Sequence, residues 1–205
     1  MIAGLVLAAG AGTRFGDEPK QLVDLAGRPL LEWSVRAQCD ARSLDRVLVV
    51  LGSSADRIRE AVHFGRAEIV ICEDWELGQS ASLRAGARAL AGADKVVVTL
   101  GDAPLVSASV IEHFAAEPPR TRAAYKGRPG HPVVLGRAEL EALAADAGEP
   151  GGRAGSESRA RDPDQGGRAL LRGGPVIEAA HLCCGRDVDT PEDLEEIRDA
   201  ARAVL

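Results

Sequence analysis

The chain opens with Ile2-Ala3-Gly4-Leu5-Val6-Leu7-Ala8, runs on through Ala9-Gly10-Ala11-Gly12-Thr13-Arg14-Phe15-Gly16, and reaches Pro19-Lys20. The first run is almost wholly apolar, which predicts a strand buried on both faces. A glycine-rich loop and two basic residues follow it. Glycines let backbone N–H groups approach an anion closely and turn at positive φ. Arg14 and Lys20 are then available to neutralise phosphates held by the backbone. The loop is not a P-loop, because no Gly-Lys-Ser/Thr closes it. Nor does it match the dinucleotide fingerprint, because Phe15 stands where the third glycine belongs. Two readings stay open from the loop alone: a phosphate cradle, or an ordinary turn between a strand and a helix.

Beyond this stretch, apolar runs alternate with helical patterns. Pro29 stands where a helix can begin, and Leu30 to Ala41 has helical spacing. Arg46 to Leu51 predicts a second buried strand, Ala55 to Phe64 a helix, and Glu68 to Cys72 a third strand. Gly78 to Gly92 becomes an alanine-rich helix, Asp94 to Leu100 is the most continuous strand signal, and Ser107 to Glu117 is helical again. Strands that are apolar on both faces and separated by helices imply an α/β fold. It has three layers, with a mostly parallel central sheet covered by helices on both faces. Such sheets bind ligands at the carboxyl ends of their strands.

The C-terminal half reads differently, as a small β-containing subregion. Arg122 to Lys126 and Pro132 to Leu135 look like strands around a turn at Gly127-Arg128-Pro129-Gly130-His131. Arg137 to Asp146 is a helix, and the glycine-rich, charged segment 148–164 reads as a flexible surface loop. Val176 to Leu182 predicts a strand. Thr190-Pro191-Glu192-Asp193 starts the last helix, with Thr190 as N-cap and Pro191 at the first helical position. We expect one domain over 1–205, with a nucleotide-binding half (1–117) and an acceptor-binding half (118–205).

Composition narrows the class. The 205 residues are 45% hydrophobic, enough for a core, but only 3% aromatic, so that core is built from Leu, Val, Ile and Ala. The net charge of −6 argues against a nucleic-acid partner. No segment has the apolar length of a membrane span. The first residues enter a strand without a signal-peptide pattern, so we expect a cytoplasmic protein. Cys39, Cys72, Cys183 and Cys184 lack C-x-x-C spacing and read as reduced structural thiols.

Three further stretches and one histidine are candidates for chemistry. Asp102, in Leu100-Gly101-Asp102-Ala103-Pro104-Leu105, follows the strongest strand signal, where a carboxylate beside a polyphosphate suits Mg²⁺. A turn or capping Asp is the plain alternative. Asp187 and Asp189 alternate around Val188, which puts both on one side of an extended segment. They are either a second part of a metal site or a solvated pair before a helix. Ser80 and Ser82, in Gly78-Gln79-Ser80-Ala81-Ser82-Leu83, are either contacts for a ribose or base or helix-capping hydroxyls. His131 reads as a lone histidine in a loop.

Taken in order, these motifs, together with Pro19-Lys20-Gln21-Leu22, Gly130-His131-Pro132-Val133 and Asp187-Val188-Asp189-Thr190-Pro191, resemble the signatures of the MobA-like nucleotidyltransferases. The nearest branch is the molybdenum-cofactor cytidylyltransferases. The Ala8-Ala9-Gly10 start is similar to the CTP-using branch. The resemblance implies a Rossmann-like nucleotidyltransferase fold and a Mg²⁺-dependent transfer of CMP from CTP to a phosphate-bearing acceptor, molybdopterin, with release of pyrophosphate. It implies that Ala8, Ala9, Gly10, Ala11, Gly12 and Thr13 wrap the triphosphate, with Arg14 and Lys20 on its phosphates. Ser80 and Ser82 would face the ribose or base. Asp102, with Asp189 and Asp187, would hold the metal, and His131 and Arg168 would face the acceptor. A molybdoenzyme receiving the product is the implied protein partner.

Two other readings accompany this one. The nicotine blue oxidoreductases also look like this family and imply a nicotinamide cofactor. Against that, Leu51-Gly52-Ser53-Ser54 offers no acidic residue after the second strand to grip a ribose. A non-catalytic chaperone that binds nucleotide and hands on a cofactor is the other. Ala103 departs from the family's bulkier residue at its position, which bears on the acceptor pocket.

Overall fold

The computed structural model describes residues 1–16, 18–146 and 169–204. The expected loop 148–164 and Arg168 lie outside them. β1 (Ile2–Ala8) is the strand expected from the opening run, and it sits near the middle of one seven-stranded sheet. β4 (Arg46–Leu51) and β6 (Lys95–Leu100) flank it in parallel, and β5 (Glu68–Ile71) pairs with the far edge of β4. On the other side β8 (Arg128–Gly136) runs antiparallel to β6, β7 (Arg122–Tyr125) antiparallel to β8, and β9 (Val176–Glu178) parallel to β7. The strand order is therefore β5-β4-β1-β6-β8-β7-β9, and strands from both halves of the chain share this sheet.

The layers follow from alternation along each strand. On β1, Ala3, Leu5 and Leu7 point into one buried cluster, while Val6 and Ala8 point into another on the opposite face. α3 (Gln79–Ala89) and α5 (Arg137–Ala145) cover the first face. α1 (Leu30–Asp40), α2 (Ala55–Ala61) and α4 (Ala108–Ala116) cover the second. A small hairpin, β2 (Asp24–Leu25) with β3 (Arg28–Pro29), and α6 (Pro191–Val204) close one end around Leu25, Leu30, Val188, Leu194 and Ile197. This is a mostly parallel sheet between helical layers, as expected. No helix among the described residues is long and apolar enough to cross a membrane.

The turn after β7 differs from the sequence reading. Only Lys126 and Gly127 turn, both with positive φ (53° and 76°), and β8 already begins at Arg128. Two left-handed residues suit the tight hairpin connection that matches strand twist. Pro129 of the expected turn, and Pro132 after it, fit a strand because residues 128–132 lie before the ladder with β6, which runs from Val133 to Gly136. His131 is therefore a strand residue, not a loop residue. β9 is also shorter than expected: after Glu178 the chain turns away, with Leu182 N–H donating to Ala179 O at 2.8 Å.

Candidate functional site

The glycine loop leaves β1 at its carboxyl end and folds over the start of a short 3-10 turn at Lys20–Leu22. Gly12 has φ 61°, and a Cβ there would stand 2.5 Å from Lys20 Cβ, so only glycine fits. Gln21 holds the loop from beneath. Its Nε2 donates to Ala8 O at 3.0 Å and to Gly10 O at 2.7 Å. Sequence reasoning assigned Gln21 no part, although it stands in the Pro-Lys-Gln-Leu motif.

Lys20 is the centre of the site. Its Nζ donates to Asp102 Oδ2 at 2.5 Å and to Asp189 Oδ1 at 3.1 Å. Arg14 Nη1 lies 3.7 Å from Asp189 Oδ2. Lys20 and Asp102 are mostly shielded (side chains 12% and 23% exposed), whereas Asp189 is open to solvent at 55%. Burial alone would lower the Lys20 pKa, but Asp102 and then Asp189 outweigh it and hold it above the ordinary value. The ammonium therefore stays charged at physiological pH.

Backbone contacts fix the meeting of these segments. Val188 N–H donates to Asp102 O at 2.9 Å, and the Val188 side chain is fully buried beside Leu105 and Leu194. This one residue ties the C-terminal aspartates to the end of β6. α6 is held behind them by a reciprocal cap. Asp193 N–H donates to Thr190 Oγ1 at 3.2 Å, and Asp193 Oδ2 accepts the Thr190 N–H at 2.9 Å.

The two aspartates around Val188 are not equivalent. Asp189 meets Lys20 and Arg14, whereas Asp187 lines a neighbouring cavity. Burial, and then the charges of Asp102 and Asp189, push the Asp187 carboxyl up to about 7, although its open side lets water screen part of this.

Two cavities adjoin here. The smaller, about 90 Å³, is lined by Ala8, Gly10, Gly12, Lys20, Gln21 and Asp102, among others. The larger, about 300 Å³, lies against the α3 face of the sheet and is lined in part by Ser80, His131 and Asp187. Burial pushes the His131 imidazole down to about 4, so it is neutral at physiological pH. Ser82 does not line either cavity: it is buried within hydrogen-bonding reach of Cys72. Ser80, by contrast, is open to the larger cavity.

Among the described residues, no group of three or more His, Cys, Asp or Glu side chains forms a ready cation cage. Asp102 Oδ1 is nevertheless buried with no hydrogen-bond partner among the described residues, and Asp189 stands across Lys20 from it. A hard divalent cation is commonly held by one or two carboxylates together with substrate phosphates. The residues present fit such an ion.

An α/β sheet whose glycine loop, ammonium and carboxylates meet at the strand ends defines the class of Rossmann-like nucleotidyltransferase folds. The chain belongs to the MobA-like NTP transferase domain family, whose pattern matches residues 4–165. Among solved structures it is similar to a nucleotidyl transferase from Methanothermobacter thermautotroptrophicus. The identity is 25% and the TM-score 0.77, over 100% of this chain and 99% of that one. It is also similar to Rv0371c from Mycobacterium tuberculosis H37Rv, solved as a complex with manganese. There the identity is 28% and the TM-score 0.71, over 97% and 98% of the two chains. Among characterised sequences it is 30% identical over 207 residues to the nicotine blue oxidoreductase of Paenarthrobacter nicotinovorans, covering 94% of each chain.

Proposed function

We propose that the protein is a Mg²⁺-dependent cytidylyltransferase that moves CMP from CTP to a phosphate-bearing acceptor, with molybdopterin the acceptor that the sequence resemblance favours. One observation carries this reading: Lys20, Asp102 and Asp189, far apart in the chain, meet at the mouth of the glycine loop. The loop backbone from Ala8 to Thr13 would hold the triphosphate, and Arg14 and Lys20 would neutralise it. A terminal phosphate oxygen of the acceptor attacks the α-phosphorus of CTP. The bond from that phosphorus to the bridging oxygen breaks, and pyrophosphate leaves. Mg²⁺ held by Asp102 and Asp189 would supply further neutralisation of phosphate charge. Lys20 stabilises the charge that builds on the phosphates, and the loop fixes their position. Such transfers need little more than placement and electrostatics. On this reading Asp187 and His131 border the acceptor, and Arg168 stands on the acceptor side.

A second reading has its own support in the end-to-end similarity to nicotine blue oxidoreductase. It would put a nicotinamide cofactor in the same cleft. The absence of an acidic residue in Leu51-Gly52-Ser53-Ser54 weakens it. One experiment separates the two. Pyrophosphate release is followed with CTP, GTP or ATP, with and without molybdopterin, alongside NADH absorbance with a dye acceptor. Release with CTP and molybdopterin supports the transferase. A signal only with GTP overturns the base assignment, and NADH oxidation without nucleotide or metal overturns the transferase.

A further inference from the structure

The segment that carries Asp187 and Asp189 to the site has few ties of its own. Cys183 N–H donates to Ala179 O at 3.2 Å, and the next backbone bond is Val188 N–H on Asp102 O at 2.9 Å. Among the described residues, no backbone-to-backbone hydrogen bond anchors 184–187 between them. The Arg186 side chain turns to Asp193 and Glu196 on α6. The side chain that meets the segment from the sheet is Tyr125 of β7. Gly185, with φ 56°, lies against the hydroxyl end of that ring. A Cβ there would stand 2.0 Å from Tyr125 Cζ and 2.2 Å from Cε2, so only glycine allows the approach. Gly130 of β8 also meets the ring, where a Cβ would stand 3.1 Å from Cδ2 and Cε2.

The hydroxyl ties the ring to both neighbours. It donates to His131 O at 2.7 Å and lies 3.4 Å from Cys183 Sγ. Burial holds the phenol far above its ordinary pKa and raises the Cys183 thiol, so both keep their protons. A phenol has one proton, and His131 O takes it; the Cys183 S–H therefore donates to the phenol oxygen. One side chain thus links β7, the start of β8 and the carboxylate segment.

We infer that Tyr125 is a positioning residue, a strut between β8 and Gly185 that sets how far the segment 186–189 reaches toward Lys20 and Asp102. It touches no reacting atom. Its ring fixes where Gly185 can lie, and Val188 and Asp189 follow directly. The consequence for metal uptake rests on the transferase reading; the placement of the segment does not.

The test is amide hydrogen exchange at Val188, followed by nuclear magnetic resonance in the wild type, Gly185→Ala, Tyr125→Ala and the double variant. Amides of β1 report global opening. Uptake of Mn²⁺ with CTP is measured in each protein against Mn²⁺ and CTP alone. Gly185→Ala is expected to speed Val188 exchange tenfold or more relative to β1 and to weaken Mn²⁺ uptake fivefold or more. CTP binding without metal should change less than twofold. In the Tyr125→Ala background the effect of Gly185→Ala on exchange should be at least fivefold smaller, because the ring it strikes is gone; what remains is the cost of a Cβ at positive φ. A smaller local effect, or the same effect with and without the ring, overturns the inference. So does faster Val188 exchange with unchanged uptake, where the wild type takes up Mn²⁺. If Gly185→Ala does not fold, Tyr125→Phe decides, since it keeps the ring and cuts the hydroxyl chain. Val188 exchange at least threefold faster at unchanged β1 exchange upholds the strut, and a smaller change overturns it. If the wild type takes up no Mn²⁺ with CTP, the transferase reading falls and exchange alone judges the strut.

Discussion

Lys20 donates to two carboxylates that arrive from different ends of the sequence, so its removal should be felt in chemistry before it is felt in folding. Lys20→Ala or Asp102→Ala is expected to lower turnover on the order of 10²-fold or more, the scale of losing one transition-state stabiliser. Single-turnover kinetics with CTP checks this, and near-native rates would remove that residue from the mechanism. Asp187 gives a pH signature. Its folded value of about 7 lies above the ordinary 3.8, so the folded state holds this proton more tightly than the unfolded chain does. Stability is therefore lost as pH rises from about 4 to about 7, with the full penalty above that. Asp187→Asn should raise the thermal midpoint of the metal-free protein at pH 8 and change it little at pH 4. An equal effect at both would contradict the assignment.

At this scale Lys20, Asp102 and Asp189 stood out because each lies in one of the ordered motifs, although only Asp102 closely follows a strand. Asp187 and Asp189 could not be told apart, since alternation places both on one side; only the reach of Lys20 separates them. The contact of Tyr125 with Gly185 was invisible, because the two lie in separate stretches that make no pattern together.

The elements that matter most to the site are the loop after β1, the end of β6 and the segment before α6. Val188 joins the last two through its backbone bond to Asp102 and its buried side chain. Val188→Ala should cost on the order of 2 kcal/mol, from lost burial plus a cavity. It should also lower turnover, because Asp189 loses its anchor. Denaturant midpoints read the first effect and CTP turnover the second; lost stability with unchanged turnover would mean the anchor does not position the carboxylate. The central strands and their helices were readable from uninterrupted apolar runs such as Lys95–Leu100. The β7–β8 hairpin was misread because glycine and proline in Gly127-Arg128-Pro129-Gly130 signal a turn more strongly than Lys126-Gly127 does. What the sequence could not reveal is that residues 128–132 lie outside the β6 ladder, where proline costs no sheet bond there.

For the whole molecule, the doubly covered sheet was legible from strand–helix alternation, and the family from its ordered motifs. Function is less so, because the chain is similar along nearly its whole length both to a protein described as a nucleotidyl transferase and to one described as an oxidoreductase. Fold does not choose between them; the groups at the strand ends do. The central claim is that the glycine loop, Lys20 and two distant aspartates form one site for a metal-bound triphosphate. Electron paramagnetic resonance of Mn²⁺ titrated into the protein with CTP tests it most directly. With CTP present, the free-ion signal should fall below that of Mn²⁺ and CTP alone, by one ion per wild-type protein, and match Mn²⁺ and CTP alone in Asp102→Ala and Asp189→Ala. Uptake of Mn²⁺ that is the same in all three proteins, or that does not depend on CTP, would contradict the account.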